Sequence, residues 1–228
     1  GSPDHLVIKV QPPDKQGWFS WGADSRMGAT VLDLKVPRGA EMKIEVVSAD
    51  VALTGVGGRM LDVNSVSGKV RLDSDAKEVE IDSVSGNIDL TGKAERGHLE
   101  TVSGNIRARG LGGTLKFETV SGDVDAENGD YRELSAGTVS GDINLRGKPA
   151  KDARIDVETM SGDVHLYVPS DLSAHLRATT FSGSIRSDFG TVKDEDHGPG
   201  SSLDATAGEG DARVNLQTFS GDIEVRRQ

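Results

Sequence analysis

The chain has 228 residues, a formal net charge of −11 and no cysteine. The missing cysteines exclude a disulfide framework, a thiolate zinc site and a cysteine nucleophile. The acidic balance argues against a generic polyanion binder, because counterion-release binding needs a basic face. No apolar run approaches the roughly 18 residues that a membrane-spanning helix requires. Aromatic residues make up only 4 % of the chain while glycine occurs 29 times, so Val, Ile and Leu must fill the interior. That composition suits many short, closely stacked strands.

In chain order, Gly1-Ser2 reads as a cloning remnant, and a signal peptide is expected to have been removed ahead of it. Residues 1–45 read as an N-terminal cap. Its expected strands are HLVIKV from His5 and ATVLDLKV from Ala29, a β-hairpin with QGWFSWGADS in its loop. Trp18, Phe19 and Trp21 cluster there. They cover the end of a strand stack or, alternatively, form a docking loop for a partner or a membrane surface.

From residue 46 onward the chain repeats itself. A degenerate VVSADV at Val46 precedes SVSGKV (Ser65), SVSGNI (Ser83), TVSGNI (Thr101), TVSGDV (Thr119), TVSGDI (Thr138), TMSGDV (Thr159), TFSGSI (Thr180) and TFSGDI (Thr218). The motif glycines from Gly68 to Gly221 are spaced 18, 18, 18, 19, 21, 21 and 38 residues apart. The long last interval reads as one turn carrying a loop insertion around 188–211, since GTVKDEDHGPGSSLDATAGEG from Gly190 shows no strand pattern.

Within a unit the apolar residues alternate. In TLKFETVSGDVDA, Leu115, Phe117 and Thr119 share one parity, and Val120, Gly122, Val124 and Ala126 share the other. Period two marks strands, and a recurrent slip marks a bulge or corner. Two short strands cannot bury their own apolar face, whereas stacked units bury a continuous core. The expected architecture is therefore all-β: a single-stranded β-helix (β-solenoid) of about nine rungs with the hairpin cap. At about 4.8 Å per rung it would be a rod roughly 40 Å long. One glycine landmark per turn and loops of variable length favour the right-handed form over a left-handed hexapeptide helix. An antiparallel meander would need tight Asn-Gly or Asp-Gly turns, which are nearly absent.

The motif letters have expected places. Glycine lies inward at the corner, and the threonines align from rung to rung with hydroxyls free to satisfy the backbone at the bend. The serines point outward, as do Asn105, Asp123, Asp142 and Asp163. This polar ladder is read first as a corner device and second as an interaction face. Stacked carboxylates repel unless amides, hydroxyls or a cation compensate them, so weak calcium binding is the alternative. No other cofactor is expected.

The serial TVSGDI units, the lead-in LDLKVPRGAEMKIEVVSADVALTGV from Leu32 and the finish HGPGSSLDATAGEGDARVNLQTFSGDIEV resemble the adhesin-like toastrack domains of bacterial exported β-helix proteins. The resemblance covers about residues 30–228. It implies a right-handed β-helix exported to the periplasm or cell surface, with an association with envelope-stress signalling. It supplies no catalytic residues.

Nothing else nominates chemistry. His5, His98, His165, His175 and His197 stand in no metal-ligand spacing, although His197 sits beside Asp194, Glu195 and Asp196 in a stretch that could hold a divalent ion. No Gly-x-Ser-x-Gly elbow occurs, and eight equivalent Ser-Gly serines would be odd nucleophiles for one active site. A polysaccharide-acting β-helix enzyme is the rival class, but Arg107, Arg109 and Lys116 form no evident cluster with the acids. The expected function is a non-enzymatic, exported envelope scaffold. Its partners would be an envelope protein, another copy of itself or a surface polysaccharide, and not nucleic acid.

Overall fold

A computed structural model describes residues 31–194 and 200–228. The first strand of the expected hairpin and its loop, with Trp18, Phe19 and Trp21, lie outside the described residues, and so does His197. Of the expected second strand, residues 31–36 are described; they are exposed and belong to no strand. Residues 37–228 form one compact unit, a β-solenoid with no helix among the described residues.

Each unit folds as two strands meeting at the motif, and like strands stack in parallel. The first ladder runs β1 (Met42–Ser48), β3 (Met60–Ser67), β5 (Glu78–Ser85), β7 (Arg96–Ser103) and β9 (Gly112–Ser121). It continues through the later parts of β10 (Val124–Ser140) and β11 (Ile143–Ser161). The second ladder runs β2 (Val51–Val56), β4 (Val70–Ser74), β6 (Ile88–Gly92) and β8 (Ile106–Arg109). The earlier parts of β10 and β11 and then β12 (Val164–Val168) extend it. In β10 and β11 the loop between the two ladders is itself strand, and the register slips between Glu127 and Gly129 and between Tyr131 and Glu133. These bulges absorb the extra residues that lengthen the period there.

About seven turns follow one another in chain order, rather than about nine. After them the order changes. β11 is followed in the stack by β17 (Ala212–Ser220), not by β13 (Ala174–Ser182). β13 lies on the far side of β17. The second ladder repeats this order: β18 (Ile223–Arg227) sits between β12 and β14 (Ile185–Ser187). The C-terminal unit is thus inserted between two units that precede it. The interval expected to be a plain loop also contains strands, because β16 (Ser201–Ala207) pairs antiparallel with both β13 and β15 (Val192–Asp194). β13 would otherwise present a row of unpaired amides and carbonyls, and β16 covers that edge.

The core is a set of apolar columns. Val63, Ile81, Leu99, Phe117, Ala136, Val157, Leu216 and Ala178 stack through the first ladder, all buried. Phe117 is the largest fully buried side chain, and its neighbour on the next rung is only Ala136. This large-against-small pairing lets a ring fit a column otherwise filled by aliphatics.

Candidate functional site

The motif is a corner, and the structure gives each of its letters a direction. The first letter points in: Thr101, Thr119, Thr138, Thr159, Thr180 and Thr218 are buried. Each hydroxyl donates to the motif glycine carbonyl of the neighbouring rung, for example Thr119 to Gly104 at 3.3 Å and Thr218 to Gly162 at 3.2 Å. The expected hydroxyl ladder is present from Thr101 onward. In the first two units serine replaces threonine, and the Oγ atoms of Ser65 and Ser83 find no hydrogen-bond partner among the described residues.

The second letter departs from expectation. Val120 shares a parity with the buried Val124, yet it is 49 % exposed. The physical reason is the corner itself, where two successive residues, Val120 and Ser121, both face outward before the chain turns back inward at Val124. The glycine is only half-buried, and the crowding at it comes from the next rung. A Cβ on Gly122 would lie 2.0 Å from the Gly104 carbonyl oxygen.

The polar ladder is an amide-capped chain. Asn105 Oδ1 accepts the Asp123 N–H at 3.0 Å, Asp123 Oδ1 that of Asp142 at 3.0 Å, and Asp142 Oδ1 that of Asp163 at 2.8 Å. Asp163 serves Asp222 at 2.7 Å, and Asp222 serves Ser184 at 2.8 Å. The donated Ser184 amide holds the Asp222 carboxyl below its ordinary range. A lowered carboxyl pKa favours the fold above the unfolded value near 4 and loses that contribution as pH falls through the folded value. Each rung thus fixes the next, which is how stacked acids coexist. Asp142→Asn keeps an acceptor, as Asn87 and Asn105 do in their own rungs, and should leave stability nearly unchanged. Asp142→Ala removes it and should cost about 1 kcal/mol in urea unfolding.

Outward-facing second letters form a different feature. Val47, Val66, Val84, Val102, Val120, Val139, Met160, Phe219 and Phe181 are all exposed, and the strand pairings place them in that spatial order. They make one unbroken apolar ridge along the solenoid. It ends in Phe181 and Phe219, whose rings stack at 4.8 Å with an interplanar angle of 7°. That contact exists because β17 lies against β13.

Beside the ridge, on the outer face of the first ladder, runs a column of Glu45, Asn64, Asp82, Glu100, Glu118, Gly137, Glu158 and Gln217. It contains no Lys or Arg. On the outer face of the second ladder the charges are interleaved. Arg107 lies 3.9 Å from Asp89 and 3.5 Å from Asp125, and Arg109 and Arg146 approach Glu127 at 3.4 and 3.9 Å. The second ladder therefore has a self-compensated outer face, while that of the first, where Lys43, Lys116 and Arg154 also pair with acids, turns acidic only at the edge beside the ridge. A shallow groove of about 820 Å³ lies on that edge, between the ridge and the acidic column around Gly137.

Folding also brings together Asp82, His98 and Glu100, whose ligand atoms lie within 4.8 Å of one another. His98 Nε2 is 3.6 Å from Glu100 and 4.0 Å from Glu118. Neighbouring rungs supply this group, so residue spacing within one strand gives no sign of it.

Comparison with known proteins places this architecture. The Toastrack DUF4097 family model matches residues 33–130 and 93–226, and the chain belongs to that family. No curated protein and no solved structure matches it.

Proposed function

We propose that this toastrack domain is a non-enzymatic, exported envelope protein that works as a rigid docking rod, with the apolar ridge as its contact surface. One observation carries the reading: nine exposed apolar side chains form a single line, where isolated surface apolars would need no explanation. The solenoid holds that line straight, so a partner meets a surface ordered before binding and little conformational entropy is lost. Export and an envelope partner are what the family resemblance suggests. The acidic column disfavours a second copy as the partner, because two such edges would bring like charges together.

The test is photo-crosslinking in the native host's envelope, with the reactive residue at Val139 on the ridge or at Thr91 on the compensated face. We expect one discrete protein adduct at Val139, absent at Thr91 and lost when Met160→Ser and Phe219→Ser are added. Equal capture at both positions, or capture of polysaccharide alone, overturns the proposal.

A further inference from the structure

The acidic column lacks a side chain at one position. Where neighbouring rungs carry Glu118 and Glu158, the rung between them carries Gly137. This glycine answers no backbone need: a Cβ added there meets nothing nearer than the Glu158 carbonyl oxygen at 4.0 Å. The contrast with the motif glycines, where a Cβ would enter backbone, is complete. The absent side chain therefore leaves a notch in the groove, walled by two carboxylates and by Val139, Val120 and Met160.

The charges around the notch are unevenly satisfied. Glu118 is held by Lys116 at 2.6 Å. Glu158 makes no ion pair among the described residues, and its other neighbour along the column is the neutral Gln217. Rungs about 4.8 Å apart put Glu118 and Glu158 roughly 10 Å apart across the gap, so a cation seated midway lies about 5 Å from each. The apolar walls suit the methylene stem of a lysine or arginine.

We infer that Gly137 forms a receptor for one basic side chain, and that the ridge partner is an extended, basic segment with apolar residues at alternate positions. The inference rests on the ridge being a contact surface and names the chemistry of what binds it. An extended strand sends alternate side chains to opposite faces. Lying edgewise in the groove, such a segment turns its apolar set toward the ridge at Val120, Val139 and Met160 and its basic set toward the acidic column, where one basic residue enters the notch. Charge complementarity fixes its position along an otherwise repetitive ridge, as charge pairs do at protein interfaces.

The probe is a fluorescein-labelled peptide of alternating Lys and Val, titrated into the intact chain and followed by anisotropy. Peptides alternating Glu with Val and Lys with Ser serve as comparisons. We expect the Lys–Val peptide to bind at least tenfold tighter than either, and to weaken as salt is added. Gly137→Gln fills the notch and Glu158→Gln removes its free charge; each should weaken binding about tenfold without lowering the melting temperature. Val120→Ser with Val139→Ser should weaken it as well. If the serine variants weaken binding but Gly137→Gln does not, the ridge stands and the notch is refuted. If the serine variants bind as the parent does, the ridge reading falls first. Equal binding of the Glu–Val peptide overturns the charge argument, and a dimer that Gly137→Gln dissolves makes the occupant a second copy.

Discussion

Gly141→Ala should abolish native stacking or cost about 3–5 kcal/mol, near the upper end of single-substitution effects. Two terms combine. Gly141 has φ +149°, a conformation that L side chains rarely adopt, and its Cβ would fall 2.0 Å from the Gly122 carbonyl oxygen. The first term alone is about 1–3 kcal/mol. The second admits no local escape, because the obstructing atom is backbone, fixed by the Thr138 hydroxyl that donates to it at 3.3 Å. Relief requires the rungs to separate, and each rung is bonded to the next by the polar ladder. The control lies four residues away. Gly137→Ala adds the same methyl in open space and should be neutral or stabilise by about 0.4–1 kcal/mol through the unfolded chain. Urea midpoints for the two variants, read against the parent, measure both effects. Equal midpoints would mean that the stacked glycine corner does not hold the rungs.

That pair of glycines also shows how much the sequence discloses. The repeat, the period-two strands, the corner and the inward threonines are all legible, because every rung restates the same local pattern. The direction of Val120 is not. Parity counting assumes that a single residue slips, whereas the corner turns two residues outward and converts an apparent core column into an exposed ridge. The acidic ladder of Asp123, Asp142 and Asp163 is legible as a polar column, but its amide partners lie 19 or more residues away. The notch is written as AGTVSG where other units read ETVSG. It gains meaning only once the preceding column is known to face outward. The group of Asp82, His98 and Glu100 escapes for the same reason, since two of its members share a strand and the third belongs to another rung. Least legible is the order of the last two units. TFSGSI and TFSGDI present nearly the same letters to a neighbour, so pairing preference cannot rank them, and the 38-residue interval fits either order.

Their actual order has a consequence for stability. If the C-terminal unit ended the stack, removing residues 212–228 would shorten the rod and expose one new edge. Here β17 bonds to β11 on one side and β13 on the other, while β18 bonds to β12 and β14. Removal therefore takes a rung from inside the stack. Val214, Leu216, Ile223 and Val225 are all at most 2 % exposed, and each contributes about 1.5–3 kcal/mol of burial. Without them β13, β14 and β16 lose their attachment to the rest of the solenoid. The leftover sheet of β13, β16 and the three-residue β15 has lost the layer that covered its apolar face and is at best marginal alone. We expect hydrogen exchange in the truncated chain to show residues 174–207 unprotected, while the strands from β3 to β9 keep their protection, since each repeat depends mainly on its neighbours. Loss confined to the immediate chain end, with 174–182 still protected, would contradict the inserted order. The same topology orders folding. β13 and β14 precede β17 and β18 in the chain, so they have no attachment to the rest of the stack until that last unit closes the gap. That closure spans 38 residues between Asp222 and Ser184 and 59 between Asp222 and Asp163, against 18 to 21 for the earlier rungs. Forming distant contacts is slower than forming local ones, so the last unit should set the pace of refolding, and the truncated chain should complete its remaining transition faster than the parent.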